Sequence, residues 1–180
     1  MIKRLIPIKS LCHYITVSVA LLSLNSLAGE PIATKYQFDE KDVQWAMEAG
    51  DSSVSGQAYI KLEDGSFKGC DGFTVELLPV ADYSKERIFA TYKSLEQGQI
   101  LLSQNPPKFT PDPKAFHEFV IKKKCGAGDK FSFENVSAGE YFVMAFIFWK
   151  DEAENKMQGG GVMKKITLGK NTDLKVTLKN

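Results

Sequence analysis

Histidine and cysteine are scarce in this chain of 180 residues, which holds two of the first and three of the second. No cysteine pair stands at C-x-x-C spacing, which excludes a thioredoxin-like redox motif and a zinc ribbon. A charge excess is also lacking: 23 Lys and Arg face 22 Asp and Glu, a formal charge of +1. Without a basic surplus there is no electrostatic reason to expect nucleic acid or anionic lipid as a partner. The glycine run Gly159 to Gly161 is not followed by Gly-Lys-Ser/Thr, so it is no phosphate loop. Asp151, Glu152 and Glu154 lack the alternating ligands, sixth-place glycine and closing glutamate of an EF-hand. Internal repeats and low-complexity runs are absent. No catalytic residue, metal site or cofactor is therefore expected.

What is present points first to export. Lys3, Arg4 and Lys9 precede a ten-residue apolar run, Ile15 to Leu24, and Asn25-Ser26-Leu27-Ala28 ends with small residues suited to a cut before Gly29. The run is shorter than the roughly 20 residues of a bilayer span. Residues 1–28 are thus expected to be a cleaved signal peptide, leaving a periplasmic or secreted protein with no membrane span. Cys12 leaves with it, and the balance of the remainder becomes 20 basic against 22 acidic residues, or −2.

Two cysteines then remain, Cys70 and Cys125, 55 residues apart. An even pair in an oxidising compartment is expected to form a disulfide. A cysteine nucleophile would want a base, and the sole candidate is His117.

Of the chain, 43% is hydrophobic and 25% charged, which suits one globular domain. Residues 29–52 form a leader and short helix. In Phe38 to Gly50, Asp39 is placed to cap, Phe38 and Val43 to staple, and Trp45 and Met47 to be buried. Residues 53–180 form the main domain. Val54, Gly56, Ala58, Ile60 and Leu62 alternate with polar residues, and Asp64-Gly65 turns the chain. Phe73 to Val80 is a second strand that Pro79 ends or places at an edge. Tyr83 to His117 forms an insertion. Its first half is helical, with Ser84 as cap, Ile88, Tyr92 and Leu95 on one face and Gly98 as stop; its second half holds Pro106, Pro107, Pro111 and Pro113 and is irregular. Glu118 to Cys125 resumes as a strand whose three lysines mark an edge.

The centre of the sequence is Phe131 to Trp149, FSFENVSAGEYFVMAFIFW, which is expected to form a buried strand pair around Ala138-Gly139. Tyr141 to Trp149 is apolar at both parities, so both faces require cover. The short helix of Val43 to Met47, the helix of Ile88 to Leu95 and a partner protein are the candidates, and cover from within the chain is expected. Asp151 to Gly161 is a solvated hairpin, followed by strands at Val162 to Leu168 and Thr172 to Leu178.

VSGQAYIKLEDGSFKGCDGFTVELLP, FSFENVSAGEYFV and ITLGKNTDLKVTL together resemble the carboxypeptidase-regulatory-like domain of exported bacterial proteins. The resemblance implies a transthyretin-like (prealbumin-like) Greek-key β-sandwich of about seven strands. It says little about function, since such sandwiches host many roles.

The expected function is a non-enzymatic binding or protein-interaction module, working with another envelope or secreted protein as part of an envelope or secretion assembly. A carbohydrate-binding module is the alternative and would need an exposed aromatic platform. A transthyretin-like hydrolase fits less well, because the hydroxyisourate hydrolases of that architecture use several histidines and a C-terminal Tyr-Arg-Gly-Ser motif, whereas this chain ends LKVTLKN. Within the insertion, Tyr83, Glu86 and Arg87 are the candidate interaction residues, the last two also readable as plain surface charges.

Overall fold

In the computed structural model, which describes residues 31–179, two β-sheets pack face to face around an apolar interior. The expected signal peptide and its expected cut site lie outside the described residues. The strands are β1 (Ser52–Lys61), β2 (Phe67–Gly69), β3 (Thr74–Pro79), β4 (Gln97–Leu101), β5 (Ile121–Lys124), β6 (Lys130–Val136), β7 (Gly139–Asp151), β8 (Lys156–Leu168) and β9 (Asp173–Leu178). One sheet joins β2, β6 and β9 to β1; the other runs β4-β8-β7-β3-β5. Among the described residues nine strands thus replace the expected seven or so. The additions are short pieces, β2 and β4, which extend each sheet beyond the regular periodic runs.

The central sequence serves both sheets. β6 pairs with β1 in the smaller sheet, whereas β7 pairs with β3 and β8 in the larger. The two are not partners of each other, contrary to the expected strand pair. The Ser137-Ala138 turn carries the chain across the sandwich, with Asn135 in the left-handed region at φ 57°. Gly169 to Asn171 likewise leads from β8 to a strand, β9, that pairs in parallel with β1.

β7 explains its own composition. Tyr141, Val143, Ala145 and Ile147 face the interior and are at most 1% exposed. They meet Val54, Ala58 and Ile60 of β1 and Phe131 and Phe133 of β6. Phe142 and Met144 face outward, yet they too are buried, in a second cluster with Ile88 and Phe116. The cover is intramolecular. It comes from α1 (Asp82–Tyr92) and from Phe116 of a short second helix, α2 (Lys114–Glu118).

Several local expectations change. Ser84 is the third helical residue of α1, not its cap: Ala81 occupies that place, and the buried Ser84 Oγ accepts from the Ala81 N–H and donates to the Pro79 carbonyl. α1 ends at Lys93 (φ 57°), and Gly98 lies within β4, where Tyr92 packs against it. Glu118 belongs to α2, so the strand before Cys125 starts only at Ile121; it does lie at a sheet edge. Gly159 to Gly161 lie inside β8 rather than in a loop. The leader forms two 3-10 turns, Glu40–Asp42 and Gln44–Met47, in place of one helix. Val43, at φ −129°, breaks the run, and so short a segment cannot repay helix nucleation. Asp39 does cap, accepting from Lys41 N–H at 3.0 Å. Trp45 packs edge-on against Tyr141, but Met47 is 54% exposed, a correction to its expected burial.

Cys70 and Cys125 form a disulfide with Cα atoms 5.7 Å apart, inside the range that a bridge requires. It clamps the connection entering β3 to the end of β5, beside the Phe73 N–H to Cys70 carbonyl and Cys125 N–H to Phe73 carbonyl hydrogen bonds.

Candidate functional site

The insertion does not lie flat on the sheet. Between α1, the Pro-rich segment and the outer face of β3 and β7 it leaves a pocket of about 310 Å³. Met144 and Phe146 of β7 form the floor, and Ile88 and Tyr92 descend from α1. Strand alternation puts Glu76 of β3 on the same outward face, opposite Met144 and beside Lys122 of β5. Lys122 Nζ lies 2.9 Å from Glu76 Oε1. Burial pushes the Tyr92 phenol above its ordinary range, and the nearby Glu76 carboxylate adds to the shift.

A second ion pair closes the other side. Arg87 Nη2 donates to Asp112 Oδ2 at 3.1 Å, and its Nη1 lies 3.0 Å from Oδ1. That second approach is off the axis of a hydrogen bond, so Nη1 is buried with a counter-ion beside it but no acceptor in line. The guanidinium stands 4.2 Å from the centre of the Phe109 ring and also faces Tyr83 and Phe116. Tyr83 donates to Asp112 Oδ1 at 2.6 Å. Burial, with the Asp112 carboxylate next, pushes the Tyr83 hydroxyl up to about 12. His117 Nε2 sits 3.9 Å from Asp112 Oδ2 at the mouth.

The three residues singled out in the sequence divide. Tyr83 and Arg87 converge on Asp112, and Arg87 reaches the pocket wall. Arg87 is not a plain surface charge, since its side chain is only 18% exposed. Glu86 points away from the pocket and holds the leader, accepting from the N–H groups of Lys35 (2.8 Å) and Tyr36 (3.0 Å). Those bonds keep its carboxyl below the usual range. Asp112, Glu76, Lys122 and Phe146 were not singled out. Asp112 carried a signal, an acid set between Pro111 and Pro113; Glu76 carried another, a charge inside an apolar strand. Cys125 is oxidised, so it offers His117 no thiol to activate.

The chain shares its fold with a protein of known structure. It is similar to a candidate carbohydrate binding protein from Pseudomonas aeruginosa, at 19% identity and a TM-score of 0.66, over 79% of this chain and 97% of that one. No protein-family model matches the chain, and no curated protein matches it. Among the described residues no cluster of three or more His, Cys, Asp or Glu is arranged to hold a metal, and no helix is long and apolar enough to cross a membrane.

Proposed function

We propose that this protein is an exported, non-enzymatic carbohydrate-binding module whose ligand enters the pocket beneath the insertion. One observation carries the reading: an apolar floor containing Phe146 is rimmed by two ion pairs, Glu76–Lys122 and Arg87–Asp112, whose charges cancel. A sugar ring presents C–H faces that suit an aromatic floor and adjacent hydroxyls that suit carboxylate acceptors paired with cationic donors. Balanced charge favours a neutral ligand over an anion. The description of the Pseudomonas aeruginosa protein supports the same class. Both pocket carboxylates are already engaged by cations, which supports binding rather than acid–base work. The basic and apolar N-terminus and the disulfide support export to a periplasmic or extracellular site. The resemblance to carboxypeptidase-regulatory-like domains supports a transthyretin-like Greek-key relationship for the sandwich.

Titration calorimetry against a panel of neutral glycans tests the reading. A glycan should bind, and Phe146→Ala should weaken it about tenfold. A protein partner is the second reading, favoured by Phe89 on the outer side of α1, which is 56% exposed, and Phe67 of β2, which is 53% exposed. Failure of every glycan, with recovery of a stoichiometric envelope protein that Phe89→Ser releases, would replace the first reading by the second.

A further inference from the structure

We infer that the pocket is the closed end of a longer aromatic track, and that the ligand is an extended neutral glycan chain rather than a single sugar; this rests on the carbohydrate reading above. The strand register defines the track. Cross-strand partners share a face of a sheet, so Phe146 lies in one outward row with Gly161 of β8 and Ile100 of β4, and Thr74 stands one step past the last β3–β7 pair, Val75 with Ala145. Two residues further along β7, about 7 Å on, Phe148 faces outward opposite Gly159.

The insertion covers the upper part of this face, where Phe142 and Met144 are buried, and then stops. Phe146 is half-buried at its margin, and Phe148 beyond it is 38% exposed. The two glycines of β8 determine how the rings lie. A Cβ at Gly159 would collide with the Phe148 ring, and one at Gly161 would meet the Tyr92 hydroxyl and approach Phe146 at 3.6 Å. The rings therefore occupy the space that β8 side chains would fill. Phe73 meets Phe148 edge-on at 5.9 Å and braces it from the far side. Glycine at both outward positions costs strand stability, and the room it leaves is taken by the Phe148 ring over Gly159 and by Tyr92 over Gly161.

The track fits an uncharged chain of rings. Its rows are apolar or hydroxylic, with Lys124 at the β5 edge as the charged side chain in register with Thr74. A linear glycan offers successive C–H faces to Phe146 and Phe148 while its hydroxyls meet the paired charges at the closed end.

Calorimetry of the full mature protein with neutral oligosaccharides of one to six units, drawn from gluco-, xylo- and chito- series, tests this. Affinity should rise by about fivefold to tenfold on reaching the length that touches Phe148. Phe148→Ala should abolish that rise, and Phe148→Trp should restore it. Binding that is independent of length and unaffected by Phe148→Ala would overturn the track while leaving the pocket reading intact. Absence of binding at every length would overturn both. A concentration-dependent dimer that Phe148→Ala dissolves would show that a second copy occupies the strip, and would also overturn the proposal.

Discussion

Asp112 takes a hydrogen bond from the Tyr83 phenol and the charge of Arg87 in a setting where its side chain is only 11% exposed. Removing one member of such a pair leaves the other desolvated without compensation. Asp112→Ala is expected to lower unfolding stability by about 3 kcal/mol, read from the midpoint of urea denaturation. The double change Arg87→Met with Asp112→Leu should lose much less, because no charge is left behind. Equal losses in the two variants would mean that the ion pair is not what fastens the Pro-rich segment to α1. The sequence offered Arg87 as a candidate but not its partner, since the contact spans 25 residues and two elements.

The leader is tied down as an element by its contacts with the insertion. Ile32 N–H donates to the Lys108 carbonyl and Thr110 N–H to that of Ile32, while Glu86 holds Lys35 and Tyr36. The carboxyl of Glu86 titrates below its unfolded value of 4.5 in the folded protein. Its contribution is therefore complete above that value and is lost as pH falls through the lower, folded-state value. Hydrogen exchange at Lys35 and Tyr36, referred to exchange at β7 amides, should show the leader loosening under acid ahead of the sandwich. Glu86→Gln should make that loosening nearly independent of pH, and an unchanged acid response in this variant would assign the effect to another group. α1 shows how far pattern goes at this scale. Its apolar residues Ile88 and Tyr92 are visible in the sequence, but Leu95, expected on the same face, lies beyond the end of the helix at Lys93, and the start depends on the Ser84 hydroxyl turning back to Ala81 and Pro79.

For the molecule as a whole, the disulfide closes a loop of 55 residues that contains β3, the entire insertion and β5. The chain-entropy account gives such a crosslink about 2–4 kcal/mol. Replacing Cys70 and Cys125 together by alanine should lower the unfolding free energy by that amount, read from urea denaturation, and a thiol reductant should bring the native protein to the same value. No difference between oxidised and reduced protein would show that the bridge adds nothing to the sandwich. The insertion inside that loop covers Phe142, Met144 and Met163 on the outer face of the larger sheet.

Local pattern determined much of this protein: alternation in Val54 to Leu62 placed β1, two-sided hydrophobicity in Tyr141 to Trp149 required a layer on each face, and the count of cysteines after residue 28 named the bridge. These follow from backbone geometry and burial, which act within a few residues or on composition. Only the tertiary structure decided that β6 and β7 belong to opposite sheets, that β9 runs parallel to β1, and that Glu76, Arg87, Asp112 and Phe146 surround one cavity. A strand's side-chain period specifies which face is apolar but not which neighbour completes its hydrogen-bond ladder. The convergence of charges from β3, β5, α1 and a proline-bound loop depends on where the insertion comes to rest, which its local sequence leaves open.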